Sequence, residues 1–153
     1  MNVCEDYCDF VLEMLEPLKQ NIKIILAHEN PIKNVPLDQI IAAVRIKKCI
    51  IDAPVGETND NSIKIKDSTR NILTTVGINL YVPYRNGTRV SATTFDSIFN
   101  QFIDKSESSL CEAKLLGTKY SRETQSLVTE TEFVFKNVLS FYESDLITPI
   151  VPG

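Results

Sequence analysis

The sequence predicts an α+β fold: an antiparallel or mixed β-sheet with long strands, covered on one face by two α-helices. Three observations predict it. Two segments place apolar residues at three- and four-residue intervals, around residues 7–18 and 95–102, as an amphipathic helix does. Several other segments alternate apolar and polar residues with period two, as half-buried strands do. In chain order the signals run helix, strands, long strand, loop, long strand, helix, strand, strand, an order that puts helices on one side of a single sheet.

The bulk properties fit that class. A chain of 153 residues suits one domain, large enough to bury a core without metals or disulfides. With 43% hydrophobic and 24% charged residues, the composition is that of an ordinary soluble globular protein. We expect one α+β domain over residues 1–144 and an extended C-terminal arm over 145–153. The formal net charge of −4 argues against general nucleic-acid binding, which needs a basic footprint. No segment reaches the apolar length of a membrane helix, so no membrane partner is expected. "MNVCEDYCDF" carries acids where a signal peptide needs a basic start and an apolar run, so export by that route is not expected.

In the first helix Tyr7, Phe10, Val11, Met14, Leu15 and Leu18 share a face, while Asp6, Asp9, Glu13 and Glu16 lie on another. Those acids are read as a solvated surface, or as a face that repels something passing, such as DNA. "IKIILAHE" reads as a strand, broken by the two prolines of "NPIKNVP". "IIAAVRIKKCIIDAPV" is rich in β-branched residues and reads as a long strand. Strict alternation would place Val44, Ile46 and Ile50 on one side, and Ile41, Ala43, Cys49 and Ile51 on the other. Both faces would then be partly covered, or the strand would sit at a subunit contact. "GETNDNS", residues 56–62, is a polar loop or hairpin tip.

The clearest period-two signal follows. Ile72, Thr74, Val76, Ile78, Leu80 and Val82 share one face, Asn71, Thr75 and Asn79 the other, and Pro83 ends the strand. Arg85, Asn86, Gly87 and Arg89 form a corner before the second helix, whose start Thr88 or Ser91 is placed to cap. Phe95, Ile98, Phe99 and Phe102 give that helix its apolar stripe. "SSLCEAKLLGTKY" and "TQSLVTETEFVFKNVLSFY" are extended and joined by "SRET", the arrangement of an antiparallel hairpin. Leu127, Thr129, Thr131, Phe133 and Phe135 fall on one face of the second. "DLITPIVPG" has two prolines and cannot continue a central strand.

These elements carry few residues in patterns that imply chemistry. An anion-binding loop gathers backbone N–H groups at a helix N-terminus and needs several glycines or a GKS/GKT ending. Asn86-Gly87 supplies one glycine, which turn geometry explains by itself. Arg85 and Arg89 are therefore expected in surface or inter-subunit contacts. Glu130 and Glu132 share a strand face, with Lys136 further along; as an acid/base pair they would need a pocket to split their pKa values. His28, the single histidine, has no nucleophile or ligand cluster beside it in sequence. Cys4 and Cys8 are one helical turn apart but lack the repeated pairing of zinc sites, and Cys49 and Cys111 add no paired motif. No HExxH, GxSxG or DxDxDG pattern occurs. The expectation is no catalytic, metal-binding or cofactor-binding site.

The layout does resemble one family. A long strand ending "INLYVPYRNG" leads into the amphipathic "TTFDSIFNQFI"; a strand carrying "AKLLGTKYSRET" then meets "SLVTETEFVFKNVL". This looks like the tail-terminator and collar proteins of bacteriophages and of phage-tail-like bacteriocins (tailocins). Residues 82–84 resemble that family's strand exit and residues 120–122 its turn before the closing strand, and the N-terminal helix fits its opening. The likeness covers about 60 residues closely and is one of layout; residues 21–68 align least. It implies a homo-oligomeric ring, typically a hexamer, that caps the head-proximal end of the tail tube. In a contractile particle the ring would also touch the sheath. The protein would be assembled in the bacterial cytoplasm and reside in the virion or tailocin particle.

Contacts with a neighbouring subunit, tube or sheath would then fall on Arg85 and Arg89, on Glu57, Asn59 and Asp60 of the polar loop, and on Ile147 and Ile150 of the arm. The alternatives from other classes are a cytoplasmic protein-binding adaptor, another minor tail or neck completion protein, and a small enzyme with an anion site at Arg85 and Arg89.

Overall fold

Residues 3–27, 38–54, 67–106 and 109–142 are described by the computed structural model of the chain. His28, the loop at 56–62 with Glu57, Asn59 and Asp60, and the arm at 145–153 with Ile147 and Ile150 lie outside them, as does the side chain of Cys4.

The three- and four-residue spacing of the first segment gives helix α1 (Val3–Leu15), continued by a 3-10 turn (Glu16–Gln20) with Pro17 near its start. Five strands follow: β1 (Ile22–Leu26), β2 (Ile40–Pro54), β3 (Asp67–Pro83), β4 (Leu110–Ser121) and β5 (Ser126–Tyr142). Helix α2 (Thr88–Lys105) lies between β3 and β4. The strands form one sheet in the order β1-β2-β3-β5-β4. It is mixed, because β1 pairs with β2 in parallel and every other pair is antiparallel. The α+β architecture expected from the sequence is the one found, with both helices on one face.

The alternating rows settle that face. Val76, Ile78 and Leu80 of β3, with Ala42 and Val44 of β2 and Phe133 and Phe135 of β5, pack against Val11, Met14 and Leu15 of α1 and Ile98 and Phe102 of α2. Phe102 meets Phe133 and Phe135 edge to face at centroid separations of 4.9 and 5.1 Å, a favourable aromatic geometry. Tyr7 ties α1 to β5 by donating its hydroxyl to Asn137 Oδ1 at 3.0 Å. Burial holds the Tyr7 hydroxyl well above its usual ionisation range. Deep in the same row, Thr131 donates to the Ile78 carbonyl at 2.7 Å, which satisfies a buried hydroxyl.

Two expectations need correction. Strict alternation does not hold along β2, because the register with β3 slips between Ile46 and Lys48. The extra residue is a bulge, and it inverts the faces beyond it. Cys49 therefore joins the helix-covered row, its Sγ 3.8 Å from Thr74 Oγ1, and Ile51 falls opposite Ile72 of that row. Ile50 turns to the opposite face, level with Leu73. The second correction concerns the start of α2. Its N-cap is Gly87, with no side-chain capping bond, whereas Thr88 is already helical and Ser91 is buried one turn in.

Candidate functional site

Three surfaces merit consideration. The first is the corner between β3 and α2. A 3-10 turn (Tyr84–Asn86) follows Pro83, and Gly87 then adopts φ 81° and ψ 170°, a conformation that essentially only glycine tolerates. The loop is thus a β-to-α corner, as turn geometry demands. Arg85 and Arg89 are both exposed, and neither makes an ion pair among the described residues. The corner brings together two stretches far apart in sequence. Tyr84 packs edge to face on Tyr120 of β4, with centroids 5.2 Å apart, although the two are 63% and 51% exposed. Tyrosines and arginines clustered at a surface are the residue types that dominate protein interfaces.

The second surface is β4 itself. It is the last strand of the sheet, and almost all of its side chains are exposed, including Leu115 and Leu116 at 45% and 37%. An unpaired strand edge offers backbone donors and acceptors to another chain. Register slips between Leu110 and Glu112 and between Leu115 and Thr118 bend it without ending its pairing to β5.

The third is the sheet face turned away from the helices. At the β1–β2 end it is closed over, since Ile25, Ile41 and Ala43 are buried there beside Tyr81. Further on it is open and charged. Register places Arg45 and Lys48 of β2, Lys114 and Lys119 of β4 and Lys136 of β5 on it, and the bulged Lys47 extends over it, against Glu112, Glu130 and Glu132. At its centre the Lys47 ammonium pairs with Glu132, crossing over Gly77 to reach it. A Cβ at Gly77 would lie 2.7 Å from Lys47 Cδ, so only glycine leaves the stem room. The Lys47 hydrogen bond, reinforced by the charges of Lys47, Lys114 and Arg45, holds the Glu132 carboxyl below the usual carboxylate range. Glu112 forms a second pair with Lys114 at 3.2 Å. Glu130 and Glu132 share this face as the alternation predicts, and Glu132 serves an ion pair.

Sequence reasoning singled out Arg85 and Arg89 at the corner but missed the Lys47–Gly77–Glu132 bridge. Its signal was present only as an isolated glycine in a strand, which marks a close approach without naming what approaches. The Tyr84–Tyr120 contact was equally out of reach, since it depends on how the β4–β5 hairpin is set against the end of β3.

Among the described residues no three His, Cys, Asp or Glu side chains are grouped to hold a metal ion, and no helix is long and apolar enough to cross a membrane. Fold and surfaces together define an α+β protein with an exposed tyrosine pair, an exposed edge strand and a charged sheet face. No protein-family model matches the chain, and no curated protein matches it.

Proposed function

We propose that this protein is a non-enzymatic structural component of a phage or tailocin tail. It assembles with itself into a ring, expected to be hexameric, that caps the head-proximal end of the tail tube and, in a contractile particle, meets the sheath. The observation that carries the assembly part is the open edge of β4, with Leu115, Leu116 and Tyr120 exposed along it. Scattered exposed apolar residues are ordinary, but exposed apolar residues gathered on an edge strand are a feature that monomers normally suppress. The tail assignment is supported by the layout of strand, corner, helix and hairpin that resembles tail terminators. Arg85, Arg89 and the Tyr84–Tyr120 pair make the corner a second contact surface within such a ring.

The test is assembly. Light scattering on the purified chain should give a mass several times that of the 17.2 kDa protomer, or a ring should appear when tail-tube protein is added. Tube polymerised in its presence should stop at a capped end. A strict monomer that leaves tube polymerisation unchanged overturns the proposal.

A further inference from the structure

The two sides of the molecule carry opposite charge. On the sheet face away from the helices seven exposed or half-exposed cations, Lys23 of β1 among them, stand against three carboxylates among the described side chains. On the other side α1 and the turn after it expose Glu5, Asp6, Asp9, Glu13 and Glu16, with Lys19 the one cation there. The whole chain carries a formal −4, so the cationic face is a local feature and not an average property. Apolar side chains lie between its cations: Ile50, Leu73, Val134 and Val138, the first and last exposed. A contact there would bury hydrophobic area as well as match charge.

We propose that the open sheet face docks the acidic outer side of α1 on a second copy of this chain. The inference deepens the assembly proposed above and rests on it. Because the contact joins two different patches, it is heterologous, and repeating it makes a ring if the rotation closes and a filament if it does not. The charges set register and partner choice, while the interleaved apolar residues hold the copies together. A polyanion such as DNA would be drawn to the same cations, but the chain itself carries the complementary acidic surface, which favours a second copy.

Charge reversal on each side separates the outcomes. One variant carries Lys48→Glu with Lys136→Glu, the other Asp9→Lys with Glu13→Lys. All four positions are exposed and make no ion pair among the described residues, so circular dichroism and thermal melting should show intact folding. Each variant alone should associate at least about tenfold more weakly in sedimentation velocity, because like charges then face each other. An equimolar mixture should recover the wild-type association, since each reversed surface again finds an opposite partner. Raising salt from about 0.05 to about 0.5 M should weaken the wild-type contact in the same way. The milder pair Lys48→Gln with Lys136→Gln should shift association in the same direction by less.

Wild-type oligomers that ignore both reversals would overturn this contact while leaving the ring reading intact. A chain that stays monomeric with and without tube protein would sink both. Binding of a DNA duplex that Lys48→Glu with Lys136→Glu abolishes, in a chain whose self-association is unaffected, would overturn the proposal in favour of a polyanion.

Discussion

Lys47, Gly77 and Glu132 form a unit in which each residue explains the others. The bulge brings Lys47 over β3, the missing side chain at Gly77 lets its stem pass, and Glu132 on β5 receives the ammonium. Lys47→Ala should raise the Glu132 pKa toward the ordinary value of 4.5, as followed by carboxyl NMR titration. Because the folded-state pKa is depressed, the pair's stabilisation is present above the unfolded pKa and is lost as pH falls below it through the folded value. That loss should be small, about 1 kcal/mol or less, since both partners are partly solvated. Gly77→Ala should displace the Lys47 stem and raise the Glu132 pKa as well. In a Lys47→Ala background both close contacts of the added methyl are gone and the next nearest, Arg45 Nε at 3.5 Å, is ordinary van der Waals contact, so the two substitutions should be strongly non-additive in a double-mutant cycle.

Among the elements, α2 depends on the corner before it and the aromatic cluster beneath it. Gly87→Ala should cost about 1–3 kcal/mol in denaturant unfolding, wholly from backbone strain, because nothing lies within 4 Å of the new Cβ. Phe102→Ala removes a fully buried ring wedged against Phe133 and Phe135 and should cost about 3–5 kcal/mol. Both helices and the inward row of β3 were legible in the sequence because their period runs unbroken over the stretches that meet the core, residues 7–18, 95–102 and 72–82. The distal half of β2 was not: a single extra residue inverts the pattern, and a run such as "IKKCII" fits either phase. Nor does the sequence display the parallel pairing of β1 with β2, since the five residues of β1 carry no signal of direction.

At the scale of the whole molecule the sequence disclosed the α+β class and one helix-covered face, but neither the charge on the other face nor the meeting of Tyr84 with Tyr120. Those depend on strand order, which brings residues from β2, β4 and β5 onto one surface. Arg85→Ala with Arg89→Ala should leave thermal stability within about 0.5 kcal/mol, because neither arginine is buried or paired among the described residues. If the corner lies in a subunit contact, the same variant should still lower the assembled mass in light scattering. That combination, normal folding with impaired assembly, distinguishes a contact surface from a solvated corner.

The bulge in β2 also acts as a positional key. An uninterrupted strand can slide two residues along its neighbour and keep every side chain on its proper face. Here such a slip would carry Lys47 off the one residue of β3 that gives its stem passage, and would offset two strand halves of opposite phase from their matching rows. Long strands are the ones most open to misalignment, and this notch marks a single alignment of β2 on β3.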